Sequence, residues 1–206
     1  VLAGHQRMGR GRGGSKLNDS PESRMVLSIY VKWPVPFKES LEVNQRVCAA
    51  LRPLLPEEVL FKWPNDLMIK TKKLGGMLIE NHWSGMGIKS SSIGIGINLN
   101  RTEDALERAA FLNEWVGAKQ TPEEVARAIQ HRFAHELTRS FGAGELANAY
   151  KEVLWGQDQP QSYLIHGMEM AATVDAVANN GRLTLRFEDG NVQSYDMDEV
   201  KWVDPN

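Results

Sequence analysis

Over residues 92–99 isoleucine alternates with glycine in the run Ser92-Ile93-Gly94-Ile95-Gly96-Ile97-Asn98-Leu99. β-Branched side chains at every second position put an apolar row on one face of a strand and leave the other face almost bare. On a helix the same isoleucines would scatter around the axis, so the run dictates a strand. Its glycines weaken that strand and therefore mark a place where a ligand or another backbone comes close. Residues 24–33 repeat the period with Met25, Leu27, Ile29 and Val31, and Pro34-Val35-Pro36 is expected to end this second strand.

Elsewhere the period changes. Leu41, Val43, Val47, Ala50, Leu51 and Leu54 predict a helix over 40–55, with Pro53 loosening its last turn and Pro56 stopping it. Short strands are expected at 59–63, 67–69 and 76–83, with Thr71-Lys72-Lys73 as an exposed hairpin connection. Thr121 and Glu124 form a capping-box pattern ahead of Val125, Ala128, Ile129, Phe133 and Leu137, which predicts a helix reaching about Phe141. A shorter helix follows over 145–154. Beyond Gly156 the texture becomes short strands separated by Asn179-Asn180-Gly181 and Asp189-Gly190. The expected class is α+β: a mixed β-sheet covered by helices over 1–160, then a small all-β unit over 161–206.

Composition narrows the functional classes. The 206 residues carry 24 basic and 26 acidic side chains, so no global field favours a nucleic acid or an anionic membrane. Cys48, the single cysteine, excludes an internal disulfide and a cysteine-based zinc site, which suits a reducing cytoplasm. No apolar run has the length of a membrane span, and no signal-peptide pattern opens the chain. Val1-Leu2-Ala3 leads straight into a glycine-rich basic loop and reads as the end of a strand, so the chain is expected to start within a fold.

Four segments carry chemistry. The loop Gln6-Arg7-Met8-Gly9-Arg10-Gly11-Arg12-Gly13-Gly14-Ser15-Lys16 combines unhindered backbone amides with guanidinium forks, which suits a phosphate or carboxylate. An RGG-like binder of single-stranded RNA is the alternative reading of that loop. Lys62-Trp63-Pro64-Asn65-Asp66 offers an amide and a carboxylate at a strand tip, and Asp66 is a candidate for Mg2+ or a substrate hydrogen bond; a plain Asx turn is its bland counterpart. Lys73-Leu74-Gly75-Gly76-Met77-Leu78-Ile79-Glu80 sets one lysine before a diglycine, where its ammonium could meet the same anion. Gly94-Ile95-Gly96-Ile97-Asn98 would bring a strand against a flat ligand and end in an amide.

In order and spacing, these four segments resemble the successive signatures of biotin protein ligases. The residues that carry the likeness are Gly9-Arg10-Gly11-Arg12, Lys62-Trp63-Pro64-Asn65-Asp66-Leu67, Lys73-Leu74-Gly75-Gly76 with Leu78 and Glu80, and Gly94-Ile95-Gly96-Ile97-Asn98. Residues 181–200 are similar to the family's small SH3-like β-barrel. The resemblance implies the biotin/lipoate ligase fold, akin to class II aminoacyl-tRNA synthetases. It also implies ATP and biotin as substrates with Mg2+, a biotinyl-5'-AMP intermediate, and transfer to a lysine of the biotin carboxyl carrier protein of acetyl-CoA carboxylase or another biotin-dependent carboxylase. Carried over by position, Gln6, Gly9, Arg10, Gly11, Arg12, Lys73, Gly75 and Gly76 would serve biotin. Arg10, Arg12, Asn65, Asp66, Lys73 and Asn98 would serve ATP, Asp66 the metal, and Arg12 and Lys73 the chemistry.

The chain departs from the family at Ser15, where an arginine is usual, and at Leu17, where a tryptophan is usual. The family's Ser/Thr-rich biotin segment would lie before Val1. Competing readings are a lipoate or octanoyl ligase, an RNA-binding module and a folded remnant without turnover. His131 and His135 stand four apart, as zinc ligands can, and are expected to be a solvated helix face. Glu169 in Met168-Glu169-Met170 cannot be acylated as a carrier lysine is. Trp63, Trp83, Trp115 and Trp155 are expected to be core or interface aromatics. No nucleic acid or membrane partner is expected, and an edge strand leaves a homodimer open.

Overall fold

The computed structural model describes residues 22–204. Strands β1 (Arg24–Phe37), β2 (Val59–Lys62), β3 (Asp66–Ile69), β4 (Lys72–Ser84) and β5 (Gly87–Asn98) form one sheet in the order β1-β5-β4-β3-β2. All its ladders are antiparallel, and among the described residues parallel pairing is confined to the isolated bridges Phe61↔Leu154 and Lys73↔Ala109. Helices α1 (Ser40–Leu51), α2 (Asn113–Val116), α3 (Pro122–Glu136) and α4 (Glu145–Lys151) complete this part. The Ile93, Ile95 and Ile97 row faces a core with Met25, Leu27 and Met77, against which α1 and α3 bury Val43, Val47, Leu51, Ile129 and Phe133.

Strand β1 runs through Pro34 and Pro36 rather than stopping there, with a register shift between Lys32 and Phe37. It lies at the edge of the sheet, where a residue that donates no ladder hydrogen bond is tolerated. Helix α1 ends at Leu51, and a short 3-10 turn, Arg52–Leu54, carries Pro53, whose ring cannot follow an α-helical turn. The β3–β4 connection is only Lys70-Thr71, with Lys70 at φ 54°, so Lys72 and Lys73 belong to the strand and not to the turn.

Helix α3 begins as its capping box predicts, with Thr121 Oγ1 accepting the Glu124 N–H. It ends at Glu136, short of Phe141, because Arg46 of α1 reaches across and donates to the carbonyls of Leu137 (3.2 Å) and Arg139 (2.8 Å). The fourth helix also stops early, at Lys151. The chain then covers the outer edge of β2, with Phe61 N donating to Val153 O and Trp155 N to Phe61 O.

A second antiparallel sheet follows, built from β6 (Gln161–Ile165), β7 (Met168–Val177), β8 (Leu183–Phe187), β9 (Val192–Tyr195) and β10 (Val200–Trp202). Its order is β10-β6-β7-β8-β9, an open sheet rather than the closed barrel expected, because no ladder joins β9 to β10 among the described residues. Both turn signals hold: the β7–β8 connection contains Gly181 at φ 87° and the β8–β9 connection Gly190 at φ 82°. The two sheets share one apolar cluster, in which Tyr163, Val174 and Leu185 join the core of the first.

Candidate active site

Pairing across β1, β5, β4 and β3 places Val26, Gly96, Gly76 and Asp66 side by side, and Ser28, Gly94 and Leu78 in the next row. These rows lie on the face away from the isoleucines. Gly76 and Gly96 therefore form a strip of bare backbone. A methyl group on Gly96 would meet no described atom within 4 Å, so no packing among the described residues requires glycine there. Gly75 is different: a Cβ would lie 2.2 Å from the Gly96 carbonyl oxygen, so its glycine is demanded by close approach of β4 to β5.

Cations gather at one end of the strip. Lys73 Nζ lies 2.6 Å from Asp66 Oδ1, and Lys62 Nζ lies 3.4 Å from Asp66 Oδ2. The Cβ that Gly76 lacks would sit 3.6 Å from Asp66 Oδ1 and 3.7 Å from Lys73 Cε, so the bare surface and the charged group adjoin. Lys73 keeps about half its side-chain surface (54%) open to solvent, against 25% for Asp66 and 16% for Lys62. Burial pulls the Lys62 ammonium below the ordinary lysine range, although Asp66 opposes that shift.

The backbone of Lys73 is clamped. Its N–H donates to Arg108 O, and its carbonyl accepts from Ala110 N (2.9 Å) and from Asn98 Nδ2 (3.2 Å). Asn98 also donates to Ala110 O and accepts from Arg24 Nε through Oδ1. Its amide, expected to meet the nucleotide, is thus engaged by the protein and sets the height of Lys73 along the strand. Asn65 serves the same frame through its carbonyl, which accepts from Met77 N at 2.7 Å, across the cis Trp63-Pro64 turn.

Both oxygens of Asp66 already face ammonium groups, and no cluster of three His, Cys, Asp or Glu side chains that could hold an ion occurs among the described residues. The rings of His131 and His135 lie 5.2 Å apart, tilted by 58°, without a third His, Cys, Asp or Glu ligand in that set. Gln6, Gly9, Arg10, Gly11 and Arg12 lie outside the described residues, as do Ser15 and Leu17.

Among the aromatics, Trp155 is buried, and Trp63 is part-buried and donates its indole N–H to Gly181 O at 2.9 Å. Trp83 and Trp115 are exposed, so neither is a core residue. Sequence reasoning missed Lys62 as a site residue and missed residues 108–110 altogether. Lys62 was discoverable, since it stands across a tight hairpin from Asp66, whereas 108–110 carry no periodic signal.

Residues 1–100 match the biotin/lipoate A/B protein ligase family. The matched segment contains the strip, Asp66, Lys73 and Asn98. Over 205 residues the chain is 25% identical to the bifunctional ligase/repressor BirA of Salmonella typhimurium, covering 94% of this chain and 63% of that one. Over 169 residues it is 31% identical to the biotin--[acetyl-CoA-carboxylase] ligase of Mycobacterium tuberculosis, covering 78% of this chain and 56% of that one. It thus spans less than two thirds of either relative. The biotin protein ligase of Aquifex aeolicus, solved in complex with biotin and ATP, superposes with a TM-score of 0.73 at 24% identity, covering 98% of this chain and 88% of that one. The ligase-family fold therefore extends through the second sheet. None of the helices among the described residues is long and apolar enough to cross a membrane.

Proposed function

We propose that this chain activates biotin with ATP and transfers it to a lysine of a biotin carboxyl carrier protein. The observation that carries this reading is the Lys73 ammonium, fixed by Asp66 at the margin of the bare Gly76–Gly96 strip. The planar ureido face of biotin's bicycle can lie on backbone that presents no side chains, and its valerate carboxylate then points at a fixed cation. The Aquifex ligase, which shares the fold, holds biotin and ATP.

In the first step a biotin carboxylate oxygen attacks the α-phosphorus of ATP, the bond to the bridging oxygen breaks and pyrophosphate leaves. Lys73 stabilises the negative charge that builds on the α-phosphate oxygens, and Arg12 and Arg10 do so from the glycine-rich loop. Gln6, Gly9 and Gly11 line the biotin with Gly75 and Gly76. Asn65 and Asp66 shape the nucleotide end of the site, and Asn98 acts there through its hold on Lys73. Mg2+ arrives with the ATP phosphates as part of the substrate. In the second step the amine of the carrier lysine attacks the mixed anhydride, AMP leaves and an amide forms. The protein works in the cytoplasm, its units are 1–160 and 161–206, and the outer edge of β1 is the place for a second copy to pair.

The test is to incubate the chain with MgATP and either biotin or lipoate and to detect the acyl-adenylate by mass spectrometry. Biotinyl-5'-AMP should form and lipoyl-AMP should not. Lipoyl-AMP alone would assign the chain to the other branch of its family.

A further inference from the structure

Lys62 is held from two sides. Its ammonium lies 4.2 Å from the centre of the Trp202 ring and 5.8 Å from that of Trp155, while facing Asp66 Oδ2. Trp155 and Trp202 meet edge to face at 5.3 Å, Trp155 is pinned by its indole N–H to Lys70 O at 2.7 Å, and Trp202 sits on β10 opposite Tyr163. These groups line a cleft of about 360 Å³ between the tip of the first sheet and the second. An ammonium desolvated against indole faces is attracted by the ring quadrupole, which offsets part of the cost of its burial.

From this geometry we infer that Trp202 and Lys62 are positioning residues for Lys73. The second sheet acts on the ligase site through the chain Trp202–Lys62–Asp66–Lys73, in which the indole fixes Lys62, Lys62 fixes one oxygen of Asp66, and the other oxygen fixes Lys73. Lys62 also shares out the charge of Asp66, so that Lys73 meets only part of it. Asp204 adds a negative charge on the Lys62 side. The inference rests on the role given to Lys73 above, and two readouts separate its failure from the failure of that role.

The first readout needs no turnover. Trace acetylation of Lys73 by acetic anhydride at fixed pH is followed by mass spectrometry, with exposed Lys151 as the internal reference. In Lys62→Met, Asp66 loses one of the two ammonium groups that fix its oxygens and its hold on Lys73 loosens, so Lys73 labelling relative to Lys151 is expected to change severalfold. Trp202→Leu should shift it in the same direction, whereas Lys62→Arg and Trp202→Phe should preserve it. The second readout is biotin-dependent pyrophosphate exchange by the full chain. Lys62→Met should lose about tenfold in kcat with the KM for ATP little changed, Lys62→Arg should recover most of it, and the losses in Lys62→Met and Trp202→Leu should not add. Lys73 labelling unchanged in both Lys62→Met and Trp202→Leu would overturn the inference, whether or not the chain turns over biotin. So would normal exchange in Lys62→Met beside a dead Lys73→Ala.

Discussion

Gly75 and Gly96, on the paired strands β4 and β5, do opposite work. Gly75 is required by the fold, because its missing Cβ would strike the Gly96 carbonyl, whereas Gly96 has room on its own face. Gly75→Ala is expected to cost upward of about 3 kcal/mol, the top of the usual range for overpacking, and to be read as a lower denaturation midpoint. Gly96→Ala should fold with a nearly unchanged midpoint and raise the KM for biotin about tenfold, equivalent to about 1.4 kcal/mol. A reversed pattern would remove the strip from the site. The alternation of isoleucine and glycine marks Gly96 as a place of close approach, yet only the register of β4 against β5 says that Gly75 meets backbone and Gly96 open space. The position of Asn98 at the end of its strand is legible in the sequence, but the three groups that hold its amide come from distant segments.

Elements with a local signal were recovered and those ended by tertiary contacts were not. The start of α3 lies in Thr121 and Glu124, so Thr121→Ala is expected to destabilise by about 1 kcal/mol, measured by denaturant unfolding, with Thr121→Ser close to neutral. Its end depends on Arg46 from another helix, which no window around Glu136 contains. The run of β1 through Pro34-Val35-Pro36 has a similar cause, since proline breaks a central strand and is admitted at an edge, and the strand order is a property of the whole sheet. Lys72 and Lys73 looked like turn residues because charge clusters in turns. A two-residue connection with Lys70 at φ 54° instead brings Lys73 into β4, where its backbone is held.

At the scale of the molecule, one apolar cluster joins the two sheets and buries several groups that must stay neutral. Burial raises the Cys48 thiol and the Tyr150 and Tyr163 phenols well above their ordinary values. Groups whose folded pKa lies above the unfolded one stabilise fully below the unfolded value and lose that contribution as pH rises towards the folded one. The protein should therefore lose stability from about pH 8.5, where an unfolded cysteine ionises, and more steeply from about pH 10, where unfolded tyrosines do. Lys62, whose pKa is lowered, works in the opposite sense over the interval below the ordinary lysine value. Thermal unfolding between pH 7.5 and 10.5 measures the balance, and a midpoint that rises across that range would contradict it. The α+β class and the order of the four motifs were legible in the sequence. The open second sheet and the Trp202–Lys62 contact were not, because both depend on how distant strands meet.

The central claim, that Lys73 and the arginine loop activate biotin with ATP, is tested most directly by biotin-dependent exchange of labelled pyrophosphate into ATP. Exchange by this chain that falls about 10²- to 10³-fold in Lys73→Ala and Arg12→Ala is the predicted result. Equal exchange by the parent chain and Lys73→Ala would contradict the account.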